Sequence, residues 1–115
     1  MHAVTTAATA PAISADLLKA KLAAEPLATR ARQALGRGEG LSRDAIAVVV
    51  ADMVERLDEG RIERGFGDIA DLSRAGYDPD LAWKLGPVAA RELARRIAKA
   101  EIEASAELDD MREVA

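Results

Sequence analysis

The sequence predicts an all-α fold: a compact single-domain bundle of about five to six short helices with no β-sheet. Three observations carry this. Of the 115 residues, 26 are alanine, the best helix former. β-Branched residues, the material of strands, are scarce outside one segment. Glycines and prolines fall between stretches of helical apolar spacing, where they read as stop and start signals. A chain of this length builds one hydrophobic core.

Residues 1–13 carry few large side chains and are expected to form a disordered tail. Ser14 is a candidate N-cap for a helix using Leu17, Leu18 and Leu22, which Pro26 ends. Pro26 can itself open a second helix, with Leu27, Ala31, Ala34 and Leu35 as its apolar stripe. The third segment gives the strongest signal. Ser42 is the expected N-cap, with Leu41 and Ile46 as a hydrophobic staple around it. Ile46, Val49, Val50, Met53, Val54 and Leu57 form a broad apolar face, opposite Asp44, Asp52 and Glu55. This helix is expected to run to Asp58, with Gly60 closing it.

Asp68 is the expected cap of a short helix ending at Ala75. Gly76 then takes the left-handed C′ position, and Tyr77 at C″ packs on Leu72. Asp78-Pro79 starts another short helix through Leu81, Trp83 and Leu85. Gly86-Pro87 repeats the stop and start before a last helix from Pro87 to about Ala104. The helical domain is thus 14–104, followed by an acidic, frayed tail over 105–115. Val49, Val50, Met53, Leu57, Ile69, Leu72, Trp83, Leu85, Leu93 and Ile97 are expected at the core, with Trp83 and Phe66 as large plugs among small side chains. No heptad register is long enough for a coiled coil.

Composition excludes several classes of function. There is no cysteine and a single histidine, His2, so thiolate chemistry and histidine acid–base catalysis have no residues in the folded part. No serine sits in a strand–turn–helix elbow. Most carboxylates start helices, or precede or follow a basic residue at helical spacing. No catalytic residue, metal site or cofactor is therefore assigned, and a non-enzymatic protein is expected. The longest apolar run, Ala45 to Ala51, is far short of the roughly 20 residues of a membrane span. The N-terminus lacks the basic start and leucine-rich centre of a secretory signal, so a cytoplasmic location is expected. Alanine and arginine excess suggests a GC-rich bacterial genome.

Net charge is −4, which speaks against nucleic acid as a partner. The acidity is uneven: residues 1–57 carry seven basic and six acidic groups, residues 58–115 nine and fourteen. Within the second half, Arg91, Arg95 and Lys99 form a row at i, i+4, i+8, with Arg96 beside them. Val48 falls among acids on the third helix, where a neighbouring helix or a second subunit could cover it. Arg91, Arg95, Arg96, Lys99 and Val48 are thus the candidate partner-binding residues. The expectation is a protein-binding module, an inhibitor or adaptor of the kind encoded by bacterial mobile elements and phages, with another protein as partner and a homodimer as one option. The alternative is a DNA-binding regulator using a helix–turn–helix-like corner at 68–85, with Lys84, Arg91 and Arg95 as its cations. Asp78 and Asp80 at the start of its second helix would repel a phosphate backbone.

Overall fold

The computed structural model describes the backbone of residues 14–24 and 26–114, and their side chains as far as Asp109. It is 79% helical and, among the described residues, contains five helices and no strand. These are α1 (Ala15–Leu22), α2 (Leu27–Ala34), α3 (Arg43–Arg64), α4 (Ile69–Arg74) and α5 (Pro79–Val114). α3 is the hub: α1, α4 and α5 all pack on it, while α2 packs on α1 and α4 on α5. The expected N-terminal tail lies outside the described residues.

The expected helix starts are where polar side chains supply them. The Ser14 hydroxyl accepts from the Leu17 amide at 3.4 Å and the Ser42 hydroxyl from the Ala45 amide at 3.1 Å. Asp68 caps α4, and Asp71 returns the favour by accepting from the Asp68 amide at 2.8 Å, a capping box. The end of α4 matches expectation as well. Gly76 has φ 113°, Tyr77 N–H donates to the Leu72 carbonyl and Gly76 N–H to the Ser73 carbonyl, both at 3.1 Å. A side chain at Gly76 would also strike the Thr29 carbonyl of α2, 2.8 Å from a Cβ built there.

Helix lengths depart from expectation in two places, and packing explains both. Gly60 does not close α3; it lies buried inside it, and the helix ends six residues after Asp58 with Gly65 as its left-handed cap. Gly60 serves close approach instead: a Cβ there would lie 2.5 Å from the Asp71 carboxylate. Likewise Gly86-Pro87 does not divide the last segment. α5 continues through both and runs on to Val114, past the expected end near Ala104. Gly86 is buried against Ile69 and Leu72 of α4, so it is a contact point between helices. Pro87 is exposed, as is Trp83 one turn earlier, so water can serve the carbonyl that Pro87 leaves without a donor.

Leu18, Leu35, Val49, Met53, Val54, Leu57, Leu72, Tyr77, Leu81 and Leu93 make the core, with Ala45, Ala82 and Ala89 where helices approach closely. Val50, Ile69, Leu85 and Ile97, expected at its centre, are partly buried at its margin. Two expected plugs are outside: Trp83 is 73% and Phe66 59% exposed. A large aromatic suits a core of small residues, but the continuous α5 turns Trp83 away from α3. On α2 the buried residues are Ala28 and Arg32, with Leu35 just beyond, while Leu27 is exposed. The stripe is shifted by one position because a buried ion pair anchors that helix.

That pair also overturns the expected polar face of α3. Asp52 is not solvated. The Arg32 guanidinium from α2 donates to both its oxygens, at 2.8 and 3.2 Å, and to the Ala75 carbonyl at 3.2 Å. The Tyr77 hydroxyl donates to Asp52 at 2.6 Å. The Arg32 and Asp52 side chains are 3% and 8% exposed, and no buried side-chain polar atom among the described residues lacks a partner. The network therefore ties α2, α3 and the α4–α5 turn together with its donors and acceptors satisfied.

A second carboxylate is held similarly. Asp71 accepts from Arg64 and Arg74 as well as from the Asp68 amide. Burial pushes its carboxyl up, but the Asp68 amide and the two guanidiniums outweigh this and hold it below its usual value of 3.8. An acid with a lowered folded pKa stabilises the native state above its unfolded pKa, and that stability is lost as pH falls through the folded value. Stability measured by circular dichroism should thus decline below pH about 3.8, with a shallower decline in Asp71→Asn. Identical acid slopes for the two proteins would remove Asp71 from the acid response.

Candidate interaction surface

α5 has two faces of different character. Leu81, Ala82, Gly86, Ala89 and Leu93 point into the bundle and are buried. Directly opposite lie Trp83, Pro87, Arg91, Ala94, Ala98 and Ile102, all exposed. This outward face carries the arginine row read from the sequence. The Arg95 and Lys99 side chains are 75% and 79% exposed and, among the described residues, pair within the helix, Arg95 with Glu92 at 3.0 Å and Lys99 with Glu103 at 4.0 Å. Such pairs exchange readily for a partner's groups, since exposed ion pairs contribute at most about 1 kcal/mol. Shallow depressions run along the same side, one between Arg91, Ala94, Arg95 and Ala98 and another from Ala98 to Asp109.

Arg96, grouped with the row in the sequence reading, does a different job. It faces α3 and donates to Glu55 at 2.8 Å, pinning α5 to the hub. Lys84 is exposed on the outward side near Trp83. Val48 meets a neighbouring helix, one of its two expected covers. It is half-buried against the core and lines a groove of about 450 Å³ between α1 and α3, with Leu22, Ala23, Ala47 and Ala51. α1 thus covers Val48 in part.

Trp83 is the surface residue that the sequence reading missed. The signal was present: Trp83, Pro87, Arg91 and Arg95 are spaced at four residues, one side of any continuous helix. Dividing the helix at Gly86 lost that register. Tryptophan and arginine are the side chains most enriched where truncation costs binding energy. Here both stand exposed on one rigid helix.

The charged clusters elsewhere are consumed by structure. Both buried carboxylates, Asp52 and Asp71, are held by arginines. Burial, then the adjacent Asp52 carboxylate, push the Tyr77 phenol above its usual range, so it stays a donor. Among the described residues no three histidine, cysteine, aspartate or glutamate side chains converge as metal ligands. None of the described helices is long and apolar enough to cross a membrane.

The corner at 68–85 is formed by α4, the Gly76 turn and the first turns of α5. Its second helix opens with Asp78, which holds the Asp80 amide at 2.8 Å, and with Asp80, which pairs with Arg37 at 3.1 Å. A recognition helix presents this end to the groove, and here it is acidic. Fluorescence anisotropy against random and genomic duplexes should therefore show no sequence-specific complex at physiological salt. Any weak binding should come from Arg91, Arg95 and Lys99 and fall steeply as salt rises. Tight, sequence-dependent binding retained by Arg95→Ala would reverse this.

These features define a class: a small all-α bundle built on a central helix, with one long surface helix that projects an aromatic and cationic face. No protein-family model matches the chain, and neither does any curated protein or solved structure.

Proposed function

We propose that this protein is a non-enzymatic binding module, an inhibitor or adaptor that acts by occupying a protein surface through the outward face of α5. Trp83 anchors the contact, and Arg91 and Arg95 meet acidic groups of the partner bidentately. The observation that carries the reading is the placement of Trp83, 73% exposed, on the same helix side as Arg91 and Arg95. A chain with three aromatic residues leaves its largest one in water, which costs solubility unless something covers it. The helix beneath is held to the hub by Leu93, Ala89 and the Arg96–Glu55 pair, so the face is preorganised and little ordering entropy opposes binding.

Because Trp83 is the only tryptophan, intrinsic fluorescence reports directly on this face. Affinity capture from the native cell, followed by titration of the captured protein, should shift Trp83 emission to shorter wavelength. Trp83→Ala and the double reversal Arg91→Glu/Arg95→Glu should each lose the partner, while Arg30→Glu on α2 keeps it. Full affinity in both surface variants, with unchanged circular dichroism, would overturn the proposal.

A further inference from the structure

We infer that the part of the α5 face beyond Trp83 takes a second copy of this chain, held as an antiparallel pair of α5 helices that meet around Ala100; the inference rests on the reading of that face as a binding surface. From Ala98 to Asp109 every side chain is exposed, including Ile102 at 70% and Leu108 at 59%. This stretch makes no use of the bundle, and an isolated helix of such length is marginal in water. A partner lying along it would bury these side chains and steady the end of α5.

Charge selects the occupant. Lys84, Arg91, Arg95, Arg96 and Lys99 are the cations of α5 as far as Lys99, and they precede Glu101, Glu103, Glu107 and Asp109. The first half of the helix is thus basic and the second acidic. Parallel copies would set Arg91 against Arg91 and Asp109 against Asp109. Antiparallel copies set the basic half of each on the acidic half of the other. Lys84, Val88, Arg91, Arg95, Ala98, Ile102, Ser105 and Asp109 are spaced by alternate steps of four and three along one exposed side, the spacing of a two-helix seam.

In that seam, the register that sets Arg91 opposite Asp109 also sets Arg95 opposite Ser105 and Ala98 opposite Ile102. The small Ala98 leaves room for the exposed Ile102, and a two-fold axis makes each contact twice. The seam is matched by charge and size rather than by an apolar heptad. The two bundles then lie at opposite ends, each on the far side of its own α5.

The test is sedimentation equilibrium of the full chain over a range of concentrations and salt, with Arg91→Asp, Asp109→Arg and the combined swap. The wild type should pass from 12.2 kDa to twice that mass as concentration rises, less readily at high salt. Each single variant places like charges together twice and should weaken association at least about tenfold. The combined swap should restore it. A wild type monomeric at every concentration, or single variants that associate undiminished, or a swap that fails to rescue, would each overturn the inference. If the chain is monomeric and Trp83→Ala still releases another captured protein, the self-pairing falls and the binding face stands. If no surface variant releases anything, both fall.

Discussion

Asp52→Ala is expected to destabilise the fold by about 3–5 kcal/mol, because it leaves a buried guanidinium without its counter-charge. Arg32 is 2% exposed, so water cannot replace the lost carboxylate without opening the gap between α2 and α3. The Tyr77 hydroxyl loses its acceptor in the same step. A domain of this size has about 5–15 kcal/mol in total, so the variant should be close to half unfolded in modest urea. Asp52→Asn, which keeps an acceptor and the shape, should lose less. The triple replacement Arg32→Met/Asp52→Leu/Tyr77→Phe removes the buried charged and hydroxyl members together, leaving Arg56 to Glu59, and should recover much of the loss, since an apolar substitute for a whole buried ion pair is often neutral. Urea unfolding followed by far-ultraviolet circular dichroism measures all three. Asp52→Ala within about 1 kcal/mol of the parent, inside the range of an exposed pair, would show that the network is solvated.

Leu72→Ala is expected to cost about 2–5 kcal/mol, whereas Trp83→Ala should stay within about 0.5 kcal/mol of the parent. Leu72 is fully buried and belongs to the same core as Met53, Leu57 and Tyr77. α4 has six residues, too few to hold a helix alone, so its position depends on that side chain. Trp83 is the larger residue, yet little of it would be lost from the core. The pair of variants therefore separates size from burial. A Trp83→Ala variant that melts far below the parent would put the indole back inside and withdraw it from the α5 face.

Local features were legible residue by residue. Ser14, Ser42 and Asp68 were recognisable as caps because the chemistry of a helix start lies within three residues of it. Gly76 and Tyr77 were recognisable for the same reason. The arginine row of the candidate surface was equally visible, since Arg91, Arg95 and Lys99 follow one helix period. Its aromatic neighbour was not. Trp83 joins the row only if α5 is continuous through Gly86-Pro87, and that continuity depends on α4 packing against Gly86 from elsewhere in the chain.

The sequence by itself determined the fold class, the helix starts and the outward cations, because each depends on propensity, capping or periodicity over a few neighbouring residues. Tertiary structure alone decided which polar groups are buried and which apolar groups are not. Asp52 looks like any surface acid until Arg32, twenty residues away, and Tyr77 are brought to it. Gly60 looks like a helix stop until Asp71 takes the space that its missing side chain leaves. Trp83 looks like core until the hub helix proves to be filled by smaller residues on the other side of α5. In each case the deciding partner is distant in sequence, and helix periodicity carries no information about which neighbour a face will meet.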